Sequence, residues 1–127
     1  MSKSIFISCV HEDSPYIDNI KGWAVERRLG DVVITHETED NRQEGKEAIK
    51  EHIKSKIQGA TFVIVLIGND THNHNWIEVE IELANSFHKE IICVRVPNTT
   101  GAVPALLSRF KLIDFHHGEI RNLLDNK

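Results

Sequence analysis

The sequence predicts an α/β fold, a three-layer sandwich whose central five-stranded parallel sheet carries helices on both faces. Three observations lead there. Short apolar runs alternate with segments of helical periodicity along the chain. One run, Thr61 to Ile67, is apolar at every second position on both faces, as a central parallel strand must be. Helix-ending and helix-starting residues, among them Pro15, Gly30 and Gly59, fall between these segments. The length of 127 residues, with 40% hydrophobic and 27% charged residues, suits one domain with an ordinary core.

The elements follow in order. Ser4 to Cys9 is the first strand. Ser14 offers an N-cap and Pro15 a first helical position, and Tyr16, Ile20, Trp23, Ala24 and Arg27 recur at helical spacing until Gly30 can end the helix. Val32 to Thr35 is a second strand, and the polar stretch His36 to Glu44 a surface loop. Ile49, Ile53 and Ile57 mark the second helix, which stops at Gly59. Thr61 to Ile67 is the third strand, followed by a loop from Gly68 to His74. Asn75 starts the third helix, with Glu78 placed to complete a capping box. Ile91 to Val96 is the fourth strand. After the loop from Pro97 to Pro104, Ala105 to Leu107 make at most one helical turn. Leu112 to Phe115 form a short fifth strand, and Glu119 to Leu124 a closing helix. Crossovers between parallel strands should be right-handed.

Composition narrows the partners. A formal charge of −4 argues against nucleic acid, which needs clustered cations. Lys46, Lys50, Lys54 and Lys56 do cluster, but Glu44, Glu47 and Glu51 interleave with them, as on a solvated helix face. No stretch approaches the ~20 apolar residues of a membrane span, and the first apolar run is too short for a signal peptide. A cytoplasmic protein is expected. Cys9 and Cys93 both sit in apolar runs and read as buried free thiols. With strand one central, they lie about two strand spacings apart, roughly 10 Å, too far for a disulfide.

The third helix contains an anomaly. At roughly 100° per residue, Trp76, Ile77, Val79, Ile81, Leu83, Ala84 and Phe87 form one apolar arc, opposite Glu78, Glu82 and Asn85. Glu80 falls within the apolar arc, between Trp76 and Ala84. A carboxylate there must be paired, protonated or at a cavity wall, because burying it alone is costly. In a doubly wound sheet the ligand crevice lies outside the carboxyl ends of the strands. The loops at Val10 to Asp13, His36 to Glu44 and Gly68 to Asn75 would line it, and Glu80 lies in the second turn of the helix leaving the third of these. One carboxylate suits cleavage of a glycosidic bond whose leaving group is already activated. The nicotinamide of NAD+ departs neutral and needs no acid, so the protein need only orient the ribose and stabilise the oxocarbenium-like state. The competing reading is a structural glutamate paired with a buried Arg or a helix N-terminus. Trp76 could equally pack in the core or stack on a substrate ring.

Other chemistries fit less well. A phosphorylated receiver domain shares the alternation but needs an acid ending strand three and a lysine ending strand five. Here strand three ends Ile67-Gly68-Asn69, Asp70 comes later, and Lys111 precedes strand five. His72 with His74, and His116 with His117, lack the spacing that zinc prefers. No G-x-G-x-x-G follows strand one and no G-x-x-x-x-G-K occurs, so NAD+ would bind in another mode than the dinucleotide fold's.

These residues resemble a known family. Val65-Leu66-Ile67-Gly68-Asn69-Asp70-Thr71, then Trp76-Ile77-Glu78-Val79-Glu80-Ile81, is similar to the third strand and following helix of TIR and TIR-like domains. In that family a tryptophan lies four residues before the catalytic glutamate, which maps onto Trp76 and Glu80. Ile5-Phe6-Ile7-Ser8 with Glu12-Asp13 resembles the family's first strand and loop, and Ile49 through Ala60 its second helix. Within the family the chain most resembles the stand-alone TIR-like proteins of bacterial Thoeris anti-phage defence. The resemblance implies a flavodoxin-like fold and NAD+ as substrate, not cofactor. It implies release of nicotinamide and an ADP-ribose-derived signal, often cyclic, that activates a separate effector protein, with a phage-derived trigger and self-association. It implies that Glu80 is catalytic and that Ser8, Cys9, Val10, His11, Asp13, Asn69, Thr71 and Trp76 line the substrate site, with the 36–44 loop as a gate or assembly surface. The chain departs from the family pattern where Cys9 and Val10 replace an aromatic and a histidine, and where Asn73 replaces Ser or Thr. A non-catalytic TIR-like assembly module and a nucleoside-processing relative are the alternatives.

Overall fold

The structure, a computed structural model, describes residues 3–36 and 53–125. Its strands are β1 (Lys3–Ser8), β2 (Val32–His36), β3 (Phe62–Ile67), β4 (Glu90–Arg95) and β5 (Leu112–Asp114). All pairings are parallel, in the order β2-β1-β3-β4-β5. The helices are α1 (Pro15–Val25), α2 (helical over residues 53–58), α3 (Asn75–Ser86) and α4 (His117–Asp125). The predicted α/β architecture is therefore the observed one. Ile49 and the loop residues 37–44, predicted as helix and gate, lie outside the described residues.

Strand alternation divides the core in two. Phe6, Val63, Val65, Ile67, Ile91 and Cys93 point to the face covered by Ile53 and Ile57 of α2 and by Ile77, Val79, Ile81 and Ala84 of α3. Ile5, Ile7, Phe62, Ile64, Leu66, Ile92 and Val94 point to the other face, against Ile17 and Ile20 of α1 and Ile120 and Leu124 of α4. Each β3 residue is buried, which its unbroken apolar run required. Between β4 and β5 the chain makes only a 3-10 turn, Ala105–Leu107, whose Leu107 is buried on the α2/α3 face.

The helix ends differ in detail from the sequence expectation. Ser14 stands at the N-cap of α1 with Pro15 next, but its φ/ψ of −59°/−29° is helical and its side chain makes no capping bond. A preceding 3-10 turn, His11–Asp13, feeds it into the helix already wound. The cap of α3 is His74, not Asn75, and no side-chain capping bond forms, so the capping box through Glu78 is absent. Helix α1 ends at Val25, well before Gly30. Arg27 takes the left-handed turn at φ 61°, with Arg28 N–H donating to Trp23 O and Arg27 N–H to Ala24 O. Helix α3 closes the same way: His88 sits at φ 57°, Lys89 N–H donates to Ala84 O and His88 N–H to Asn85 O. Both are Schellman ends built without glycine.

Cys9 and Cys93 are buried and form no disulfide, separated by β3 and on opposite faces of the sheet. Burial pushes the Cys93 thiol up to about 11. No helix among the described residues is long and apolar enough to cross a membrane.

Candidate functional site

The strand order places a topological switch between β1 and β3. From β1 the chain goes to β2 on one side, then crosses to β3 on the other, and the connections diverge to leave a crevice at the carboxyl end. Ser8 ends β1 there and Gly68 follows β3.

Glu80 reaches this point from α3. Its side chain is fully buried, as the apolar arc demands, and Ser8 Oγ donates a 2.7 Å hydrogen bond to its Oε1. Ser8 is itself fully buried. Strand parity explains the meeting: Ser8 lies two residues after Phe6, so it faces α3, where Phe6 packs. The structure thus brings together two polar residues 72 positions apart within an apolar layer.

Asp13 is the second buried acid. It is 5% exposed, and its Oδ2 has no hydrogen-bond partner among the described residues. Burial, then the neighbouring Glu12 charge, pushes its carboxyl up to about 6. The carboxyl lies directly on Gly68, where an added Cβ would stand 2.2 Å from Asp13 Oδ2. Only glycine after β3 leaves room for it.

Thr71 anchors the β3–α3 loop. Its buried Oγ accepts from Gly68 N–H at 2.8 Å and donates to Leu66 O at 3.2 Å. Asn69 is exposed, its Oδ1 accepting from Thr100 N–H at 2.8 Å. That contact docks the 97–101 loop, which Gly101 allows: a Cβ there would lie 2.2 Å from Gly68 O.

Trp76 is half-buried, one helical turn before Glu80 and on the same side of α3. The His74 ring lies 4.4 Å from it, tilted by 50°. His74 Nε2 in turn meets Asp70 Oδ2 at 2.9 Å, and Asn73 Nδ2 donates to Asp70 Oδ1 at 2.6 Å. The Asn73 bond, then His74, holds the Asp70 carboxyl below its ordinary value. Asn73 thus braces this loop.

The remaining predicted residues separate. Val10 is buried on the α3 face. Cys9 points to the opposite face, into the core with α1 and α4, so the expectation that it lines the same pocket as Ser8 is corrected by strand alternation. His11 is exposed in the 3-10 turn. His116 and His117 stack on each other at 4.8 Å, far along the chain at the start of α4. Arg95, at the end of β4, was not among the sequence candidates. The alternation Ile91, Cys93, Arg95 puts it on the α3 face, and that parity was readable.

Three surface hollows border Gly30 and Val32, Asp18 and Trp23, and Glu90 and Phe110, and none of the three is lined by Ser8, Asp13 or Glu80.

The parallel sheet in the order 2-1-3-4-5, with helices on both faces, defines a flavodoxin-like α/β domain. The chain is similar over 96% of its length to 95% of the TIR domain of the Toll-related receptor TRR-2 from the lower metazoan Hydra magnipapillata, at a TM-score of 0.64 and 19% identity. In all, 33 solved chains match. The profile described as Thoeris protein ThsB, TIR-like domain, matches residues 6–101, and the chain belongs to that family. No curated protein matches.

Proposed function

We propose that this protein is an NAD+-consuming TIR-like enzyme of a Thoeris-type anti-phage system, with Glu80 as its catalytic carboxylate. The observation that carries the reading is the fully buried Ser8–Glu80 hydrogen bond at the switch point of the sheet. A carboxylate held in an apolar layer beside a hydroxyl suits a site that stabilises developing positive charge.

In this reading, hydroxyls of the nicotinamide-side ribose replace the Ser8 hydroxyl on Glu80. The bond between ribose C1′ and the pyridinium nitrogen breaks with its electron pair going to nitrogen, so nicotinamide leaves neutral. The carboxylate stabilises the oxocarbenium-like C1′ until water, or a nucleophile of the same ADP-ribose, captures it and loses a proton. Trp76 walls the pocket above Glu80, and Asp13 and Thr71 shape the loop edges. The captured product, cyclic where the nucleophile is internal, would act on a separate effector protein in the cytoplasm. Self-association and a phage-derived trigger belong to the same proposal.

The test is nicotinamide release from NAD+ at high protein concentration, followed by chromatography with mass detection. Wild type is expected to release it and Glu80→Gln to lose at least two orders of magnitude of rate, with the fold unchanged by circular dichroism. Full activity in Glu80→Gln would sink the assignment.

One observation favours a second reading. Ser8 and Glu80 are both fully buried, as a structural pair in a non-catalytic assembly module would be. That module would neither release nicotinamide, with or without lysate from infected cells, nor be stabilised by NAD+.

A further inference from the structure

We infer that Arg95 is the pyrophosphate-recognition residue of the site, and that a bound dinucleotide runs from Glu80 across β3 towards β4. The inference rests on the NAD+ reading and names the part of the substrate the Glu80 pocket does not hold.

Register fixes the geometry. Ser8 is level with Val65 of β3, Val65 with Cys93 of β4, and Ile67 with Arg95. Arg95 therefore stands two strands across from Ser8 and two residues nearer the carboxyl edge. At about 4.8 Å per strand and about 3.3 Å per residue, the two Cα atoms are roughly 12 Å apart. Partner residues of parallel strands point to the same face, so Arg95 shares its face with Ile67, Cys93 and the α3 helix. A guanidinium extended back towards the crevice covers about half that span, which leaves the distance from a ribose to its diphosphate.

Its present contacts leave it available. Arg95 is half-buried, yet no carboxylate lies within ion-pair distance of it among the described residues. Asp114, its register partner on β5, is not bonded to it. Among the described residues only Nη1 is engaged, with Ile67 O at 3.4 Å and Thr99 Oγ at 3.5 Å, both long and both neutral acceptors. A guanidinium offers five donors in a planar fork suited to phosphate oxygens. The acids of the crevice, Asp13, Asp70 and Glu80, suit the cationic nicotinamide end and repel phosphate. Arg95 supplies the opposite sign at the other end, so charge alone orients the dinucleotide. The 97–101 loop beside it is locked down by Asn69 and Gly101, which gives the cation a fixed wall.

The test is calorimetric binding of ADP-ribose, and separately of adenosine, to Glu80→Gln protein with and without Arg95→Gln, alongside nicotinamide release from NAD+ and from nicotinamide riboside. Arg95→Gln is expected to weaken ADP-ribose roughly 10- to 100-fold, as loss of a charge-assisted bond does. It should raise KM for NAD+ by a similar factor and leave nicotinamide riboside, which has no phosphate, unchanged. Arg95→Lys should recover part of the loss. Equal ADP-ribose binding with and without Arg95, or an equal effect on both substrates, would overturn the inference while leaving Glu80 chemistry intact. Absence of ADP-ribose binding would overturn it too, whereas binding without nicotinamide release would count against the enzyme reading alone.

Discussion

Replacing Asp13 by Asn should reverse its effect on stability with pH. In the folded protein the Asp13 carboxyl is raised from 3.8 to about 6. Between those values the folded state holds a proton that the unfolded state has released, so stability falls as pH rises through the window. Below about pH 4 the penalty is absent, and above about pH 6 it is fully in place. A gap of about two pH units, at about 1.4 kcal/mol each, sets it near 3 kcal/mol, or about 2 with some solvent relaxation. Asn keeps the shape that fits over Gly68 but brings an amide donor, unmet against that backbone, at a cost of about 1 kcal/mol. Urea unfolding should therefore find Asp13→Asn about 1 kcal/mol less stable than wild type near pH 3 and about 1–2 kcal/mol more stable at pH 8. The difference between variants cancels the titrating groups that do not interact with Asp13, leaving Asp13 and its coupling to Glu12. A difference that does not change with pH would refute the claim that Asp13 is an ionised, unpaired, buried acid. Under the proposed function the stabilised variant should also lose activity, the trade expected where a site keeps a charge that the fold does not need.

Other outcomes follow from single contacts. Thr71→Val leaves Gly68 N–H without its acceptor in a buried loop, and calorimetry should find a loss of about 1–3 kcal/mol. Gly101→Ala drives a methyl to 2.2 Å from Gly68 O and 2.5 Å from Asn69 O. Both are backbone atoms, so a cost of about 1–3 kcal/mol is expected, together with slower nicotinamide release because Gly68 moves under Asp13. His88→Gly relieves the left-handed turn at φ 57°, which should stabilise by about 0.5–1 kcal/mol and raise Tm by about 2–4 °C. A lowered Tm there would refute the Schellman assignment.

The sheet was legible because each strand is an apolar run of the right length between turn residues, and β3 declared its central place by being apolar on both sides. Glu80 was legible because a carboxylate breaks the α3 stripe. The helix ends were not: Arg27 and His88 occupy turns where pattern reading looks for Gly30 or Asn, and backbone bonds to Trp23 O and Ala84 O, invisible in sequence, hold them. Cys9 was misplaced because a strand end and its loop were read as one lining, although Ser8 and Cys9 must point to opposite faces. Arg95 was overlooked because a polar residue closing a strand is ordinary, and only register brings it level with the exit of β3. The pairing of Asp13 with Gly68 depends on a 3-10 turn that no local signal announced.

The two thiols give the sheet a pair of internal clocks. Cys9 and Cys93 are the chain's only cysteines, and they are buried in separate layers. A thiol reagent can reach either one only after its own layer opens. With the Cys93 thiol raised to about 11, almost none of it is thiolate while the layer is shut, so labelling there counts opening events and not leakage. Labelling rates for Cys9 and Cys93 single-thiol variants would time the α1/α4 and α2/α3 layers independently. Equal rates would mean the sheet opens as one unit; faster labelling at Cys93 would mean that the layer carrying Glu80 breathes on its own.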